Sequence, residues 1–139
     1  MPFLPKNFAH KKHAKGRLSL RQGQNQKIEF GDVAIKALQP GRLTDRQIES
    51  VRKTIKKIIK PTGGIIRRKL VLSVPLTQKS LASRMGRGKG RVSFHVAPVR
   101  AGQILFEVYD PAFSLHKEAL THALMKLPLC STLAVRRHV

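Results

Sequence analysis

The chain has 139 residues, enough for one domain built around a single hydrophobic core. Its charge is unusual, because 28 Lys and Arg residues stand against 7 Asp and Glu residues and give a net charge of +21 at pH 7. A compact fold with this charge repels itself, so we expect a polyanionic partner. Nucleic acid fits better than a membrane surface, because the chain has no Trp and no apolar run of about 18 residues.

The first 27 residues carry no acidic residue and almost no periodic apolar pattern. Such a segment cannot bury enough apolar surface to fold alone, although it can become ordered against a phosphate backbone. Two prolines and the lack of an apolar segment argue against a secretory signal. We therefore predict an extended basic arm over 1–27, followed by one globular domain over 28–139. The arm residues predicted to bind phosphates are Lys6, Lys11, Lys12, Lys15, Arg17 and Arg21.

A strand pattern comes first in the predicted domain, over 28–37, with a break at Gly31 and Asp32. The clearest element is a helix over 44–60. Thr44 and Gln47 have the spacing of a capping box, in which each side chain bonds the other residue's backbone N–H. Five apolar residues then share an arc of about 100°, the width of a stripe that faces a core. They are Ile48, Val51, Ile55, Ile58 and Ile59.

A flank of this helix, away from the apolar stripe, is basic. Only Glu49 shares the flank, so pairing within the helix cannot neutralise it, and phosphate is the expected partner. The basic residues of the flank are Arg52, Lys53, Lys56, Lys57 and Lys60.

The remaining chain predicts further strands and a second helix. Residues 65–72 are rich in β-branched residues, but Arg67, Arg68 and Lys69 would put charge on both faces, so this strand must lie at a sheet edge or contact RNA. A loop around Pro75 follows.

Two more strands are predicted at 92–96 and 103–109, paired as a hairpin. A second helix begins near 111–114, with Asp110 as its N-cap, and ends before Pro128. A short strand at 131–135 is the last predicted element.

Residues 50–106 contain no Asp or Glu but 14 of the 28 basic residues, which predicts a continuous electropositive surface. Within this block lies a glycine-rich loop, whose glycines permit positive φ and close backbone approach to folded RNA. It is not a nucleoside-triphosphate loop, because the residue after its Lys is Gly and has no hydroxyl to hold magnesium. The loop consists of Arg84, Met85, Gly86, Arg87, Gly88, Lys89, Gly90 and Arg91.

Catalysis and metal binding have little support in the sequence. Neither a nucleophile elbow nor an H-E-x-x-H motif is present, and carboxylates are few. His10 and His13 have a metal-like spacing, but no Cys pair or third close His accompanies them, and Cys130 is expected at a buried or border position. We therefore predict no enzyme, no metal and no cofactor. Because the Phe and Tyr residues fall mostly at core-patterned positions, recognition should depend on phosphates and RNA shape.

Five blocks dispersed over nearly the whole chain match one family in order and spacing. They are PK followed by KKHAKGR at 5–17, GRLTDRQIESVRK at 41–53, SRMGRGKG at 83–90, GQILFEV at 102–108 and KLPLCST at 126–132. In these blocks the chain resembles the family of large-subunit ribosomal protein sixteen in the bacterial numbering, which is shared with the archaeal and eukaryotic ten-e type. The resemblance implies an α+β fold, a compact two-layer sandwich in which two helices pack on a mixed sheet.

The same resemblance implies a structural constituent of the large ribosomal subunit that is neither an enzyme nor a homo-oligomer. Its place would be near the peptidyl-transferase centre and the base of the central protuberance, in contact with large-subunit rRNA, the A-site tRNA and neighbouring ribosomal proteins. The basic arm, the flank of the first helix, Arg42 and Arg46 would bind rRNA, and the glycine-rich loop would face the tRNA. The charge pattern of the strand at 65–72, independently of the resemblance, makes Arg67, Arg68 and Lys69 further predicted rRNA contacts.

The chain departs from the family pattern at 65–80 and at 92–99. These departures, together with Arg87, favour an organellar member of the mitochondrial kind, with a plastid or the bacterial cytoplasm as alternatives. A free nucleic-acid packager is the other class of protein that the charge would support.

Overall fold

The computed structural model describes residues 11–12, 14–18, 26–86, 88–109 and 120–136. These residues include strands β1 (Val33–Ala37), β2 (Gly41–Thr44), β3 (Ile65–Arg68), β4 (Val74–Gln78), β5 (Arg91–Val99), β6 (Ile104–Tyr109) and β7 (Ser131–Val135). Helix α1 is Asp45–Ile59, and helix α2 is described over 120–124. The predictions made for Lys6, Arg21 and Arg87, for His10 and His13, and for the start of the second helix at 110–114 lie outside the described residues.

The strands form two sheets, and every described pairing is antiparallel. The first sheet has the order β3, β6, β1, β7, and the second has the order β2, β5, β4. The predicted α+β class and the two helices are confirmed, while the strands divide between two antiparallel sheets where one mixed sheet was expected. The strand predicted over 65–72 is shorter, ending at Arg68, and it lies at a sheet edge as its charge required.

The predicted hairpin of the strands at 92–96 and 103–109 is wrong. Strand β5 pairs with β2 and β4, whereas β6 pairs with β1 and β3 in the other sheet. The first five residues of β6 are all buried, which requires a central position with both faces covered. Gly102, at a φ of 83°, lies in the short connection that carries the chain from one sheet to the other.

Strand β4 replaces the loop that was predicted around Pro75. It lies at the edge of the second sheet and pairs with β5. An edge strand has a partner on one side only, so Pro75, which has no backbone N–H, can occur there without loss of an interstrand hydrogen bond. Strands β4 and β5 therefore form a hairpin whose connection, residues 79–90, contains all of the glycine-rich loop except Arg91.

Helix α1 follows the predicted pattern. The capping box is present, with the Gln47 N–H 3.3 Å from Thr44 Oγ1 and the Thr44 N–H 2.9 Å from Gln47 Oε1. The apolar stripe faces the core, since Ile48, Val51, Ile55 and Ile59 are buried and Ile58 is partly buried. This stripe belongs to one hydrophobic core cluster with residues of both sheets and of the second helix, including Leu43, Phe106 and Leu120.

No helix in the described ranges is both long enough and apolar enough to span a membrane.

Cys130, expected at a buried or border position, is exposed. It precedes the edge strand β7, and its carbonyl oxygen accepts a hydrogen bond from the Leu38 N–H at 2.8 Å, so the backbone there is fixed without burial of the thiol.

Candidate nucleic-acid interface

The β4–β5 connection is an exposed loop that is folded on itself. Gly86 and Gly88 have φ values of 94° and 77°, which side-chain-bearing residues rarely adopt, and the Lys79 ammonium donates to the Gly86 carbonyl oxygen. At Gly90 an added Cβ would lie 2.6 Å from the carbonyl oxygen of Gln78, so the loop can close only with Gly there. Two of the three glycines in the predicted loop thus have the positive φ that was expected, and the third permits close approach to the chain's own backbone.

This connection lines an open cavity of about 640 Å³. Three cations, Lys79, Lys89 and Arg91, contribute to its wall, together with hydroxyl groups and glycine backbone. A cavity with this lining offers ammonium, guanidinium, hydroxyl and peptide N–H donors, and all of these bind phosphate oxygens.

The described part of the basic arm lies beside this loop. The Lys12 ammonium is 3.5 Å from the carbonyl oxygen of Lys89. Arg42, on β2, donates from Nη2 to the carbonyl oxygens of Lys15 at 3.2 Å and Gly16 at 2.8 Å. Lys15 and Lys89 also line a second cavity of about 620 Å³ with β4 and Phe94. We call the described arm residues 11–12 and 14–18, together with residues 79–86 and 88–91, the arm–loop surface.

A second basic site lies between helix α1 and strand β3. Arg52, Lys56 and Lys60 follow each other at intervals of four residues and therefore share one row of the helix. With Arg68 of β3 they line a groove of about 440 Å³, the α1–β3 groove. Its floor contains the two glycines of the α1–β3 turn and the side chains of Ile59 and Ile66.

One acidic residue partly neutralises this groove. Glu49 accepts two hydrogen bonds from Arg52, from Nε at 2.9 Å and from Nη2 at 2.7 Å. This bonding lowers the pKa of Glu49 and raises that of Arg52. Burial lowers the pKa of Arg68, and the nearby Glu49 carboxylate partly offsets this effect.

Four lysines of the helix remain exposed. Among the described residues, none of the ion pairs involves them, so their charge is available to a partner. They are Lys53, Lys56, Lys57 and Lys60. Arg46, at the start of α1, is exposed as well.

Two cations beside Arg68, Arg67 of β3 and Lys69 directly after it, interact with other residues of the chain. Arg67 lies 5.9 Å from the ring centroid of Phe30, and Lys69 pairs with Glu29 and, at 3.7 Å, with Glu107. The bond from Lys69 holds the pKa of Glu29 below its usual value. Residues 67 and 69, predicted to bind rRNA, therefore have partners that hold the segment leading into β1.

Glu107 is the residue that the sequence reasoning missed. It is fully buried in β6, and its two carboxylate oxygens accept the backbone N–H groups of Glu29 at 3.2 Å and Phe30 at 3.1 Å. A single carboxylate inside the run ILFEVY was the available signal, because a buried charge needs bonding partners. Arg42 was assigned to rRNA, and its bonds to the arm backbone were likewise not foreseen.

The structure thus brings the predicted arm and the predicted glycine-rich loop together, and it joins the helix flank to Arg68. The described residues contain no group of three side chains that could hold a metal ion. The two sites combine a high density of positive charge with hydrogen-bond donors that line their grooves, which suits binding to nucleic-acid phosphates.

Comparison with known proteins agrees with this chemistry. Residues 5–134 match the family described as Ribosomal protein L16p/L10e. The large ribosomal subunit protein uL16 of Acinetobacter baumannii is 39% identical over 132 residues, covering 95% of this chain and 96% of that protein. The uL16 protein of Psychrobacter cryohalolentis has the same identity and coverage. The chain therefore belongs to the ribosomal protein L16p/L10e family, a family of structural proteins and not of enzymes.

Proposed function

We propose that this protein is a structural constituent of the large ribosomal subunit that binds large-subunit rRNA and helps to position the A-site tRNA. Family membership and relatives named as large-subunit proteins support the ribosomal role. The observation that carries RNA binding is the presence of two separately built basic sites, the arm–loop surface and the α1–β3 groove. The site in the subunit would be near the peptidyl-transferase centre and the base of the central protuberance, with neighbouring ribosomal proteins as further partners.

The arm and the glycine-rich loop meet in the arm–loop surface but have different tasks in this proposal. The basic arm over 1–27 and the α1–β3 groove bind rRNA, and the globular domain over 28–139 presents the glycine-rich loop to the tRNA. Arg42 contributes indirectly, because its bonds to the arm backbone direct Lys12 and Lys15 along the second sheet. Arg67 and Lys69 contribute mainly by holding the segment that follows the arm.

The ribosome concerned is proposed to be mitochondrial, with plastid and bacterial ribosomes as alternatives. The departures from the family pattern at 65–80 and 92–99 and the presence of Arg87 support the first. The relatives named above are bacterial and agree with the last. Cell fractionation followed by immunoblotting of ribosomal particles from each compartment decides between the three.

A mobility-shift experiment tests RNA recognition against the alternative of a free packager. The purified protein is titrated against a folded large-subunit rRNA fragment and against a DNA duplex of equal length. The proposal expects the rRNA fragment to be preferred increasingly as salt is raised, because charge contacts common to both ligands weaken first. Equal affinity for both ligands at every salt concentration would instead identify a packager.

Two sets of substitutions test the division of tasks. Replacing Lys11, Lys12 and Lys15 with Ala should reduce incorporation into large subunits, because the arm is assigned to rRNA. Replacing Arg84, Arg87 and Lys89 with Ala should impair tRNA accommodation more than incorporation. Loss of incorporation of the second variant, with normal translation by the few subunits that contain it, would contradict the role of the loop.

A further inference from the structure

Two large apolar side chains protrude from the β4–β5 connection. Leu81 and Met85 are 106% and 96% exposed, the highest values among the exposed large hydrophobic residues of the described chain. Both lie in folded backbone: Leu81 is in a turn closed by the bond from the Ser83 N–H to the Ser80 carbonyl oxygen at 3.0 Å, and Met85 precedes Gly86, which Lys79 binds. The turn and the lysine bond thus hold these segments of backbone while both side chains stay in water.

Isolated exposed apolar residues are common, but this pair has unusual surroundings. Lys79, Arg84, Lys89 and Arg91 lie on the same connection or at its end, and no acidic residue occurs from 50 to 106. A protein partner with an apolar pocket would have to tolerate this density of positive charge. The ligand must offer negative charge to the cations and an apolar surface to Leu81 and Met85. Single-stranded RNA offers both, because its phosphates attract the cations and its unpaired bases have apolar faces.

A regular RNA helix does not satisfy them. In A-form RNA the major groove is too narrow and deep for side chains, and the bases are stacked. Leu and Met side chains contact nucleobases where the stack is opened, and such apolar residues are also inserted between base steps in protein complexes with DNA. The ligand of this loop should therefore be a bulge, an internal loop or a strand end.

We propose that Leu81 and Met85 contact unpaired nucleobases of a non-helical RNA segment, while the surrounding cations bind its phosphates. This inference rests on the proposed function, since it requires the chain to bind RNA, and it adds base contact to a recognition that phosphates and shape would otherwise explain. The apolar contacts would contribute affinity that salt does not screen, and the cations would contribute affinity that salt does screen.

The test compares Leu81→Ala/Met85→Ala with the control Leu38→Ala/Met125→Ala. The control removes the same two kinds of side chain at positions 56% and 79% exposed, outside the basic loop. Affinity is measured over a range of salt concentrations for tRNA, which is the RNA that the proposed function assigns to this loop, and for a folded large-subunit rRNA fragment. Dimethyl sulfate reactivity identifies which unpaired bases the protein protects.

The proposal expects the loop variant to bind tRNA about tenfold more weakly at every salt concentration, a change of about 1.4 kcal/mol, with an unchanged salt slope. Protection of the unpaired bases should be lost in the loop variant and kept in the control. Lys89→Gln should show the opposite pattern, with a slope reduced by about 1.

Equal affinity and equal base protection for the loop variant and the control would overturn the inference while leaving the proposed function intact. The inference would also be overturned, in favour of a membrane contact, if the loop variant lost binding to anionic lipid vesicles but kept its affinity for RNA. If the unmodified protein fails to bind the rRNA fragment at all, the proposed function itself fails, which is a distinguishable result.

Discussion

Neutralising the exposed lysines of helix α1 should remove a defined part of the salt dependence of RNA binding. The perturbation is the replacement of Lys53, Lys56, Lys57 and Lys60 with Gln, which has a helix propensity similar to that of Lys, so the helix should persist. Each phosphate contact contributes about 0.9 to the slope of log affinity against log salt for duplex nucleic acid. Four such contacts correspond to a slope change of roughly 3.6.

The size of this effect makes it easy to measure. Over a fourfold rise in salt, a slope difference of roughly 3.6 makes the affinity of the variant fall about 150-fold less than that of the unmodified protein. The affinity of each protein for a labelled rRNA fragment can be measured by fluorescence anisotropy at salt concentrations of about 50 to 200 mM.

A charge-balanced control accompanies this experiment. Glu49→Gln/Arg52→Gln removes the ion pair of the α1–β3 groove and leaves the net charge unchanged. Its slope should stay close to that of the unmodified protein, because Arg52 is already bonded to a carboxylate. The reasoning would be refuted if the lysine variant kept the original slope, or if the control lost as much slope as the lysine variant.

Three further predictions follow from single contacts. Arg42→Met should speed tryptic cleavage within the arm several-fold, because it removes the hydrogen bonds to the arm backbone. It should change the free energy of unfolding by less than about 1 kcal/mol, since exposed hydrogen bonds contribute little. Arg46→Met is the control, and equal cleavage rates in both variants would contradict the anchoring role of Arg42. Gly90→Ala should reduce the free energy of unfolding by about 1 to 3 kcal/mol in urea, because its Cβ would contact the Gln78 backbone, and unchanged stability would disprove that closure. Glu49→Gln should destabilise the protein by less than about 1 kcal/mol at neutral pH. Because the folded pKa of Glu49 is lowered, this stabilisation is present above the usual value of 4.5 and disappears as the pH falls through the folded pKa, so a difference that persists in acid would contradict it.

Local patterns predicted the parts of the fold that local interactions determine. The capping box at Thr44 and the apolar stripe of α1 depend on residues within a few positions of each other, and both are present. Strand β4 was missed because Pro75 is a strong signal for a loop, and only its position at a sheet edge makes it compatible with a strand.

Long-range pairing was beyond the sequence patterns. Strands β5 and β6 are neighbours in the chain but lie in different sheets: β5 pairs with the preceding β4 and the distant β2, and β6 pairs with the distant β1 and β3. Adjacency therefore predicted the wrong hairpin. The candidate site shows the same limit. Its basic residues could be identified by composition, but the bonds from Arg42 to the arm and from Lys69 to Glu107 depend on tertiary contacts.

Both basic sites should bind RNA inside the large ribosomal subunit, and a density map of large subunits purified with this protein is the decisive experiment. We expect density for the chain within the particle, with rRNA phosphates at the α1–β3 groove and along the arm, and with the β4–β5 connection directed towards the tRNA path. A map in which the lysines at 53–60 face solvent and the arm contacts no RNA would disprove RNA binding by these sites.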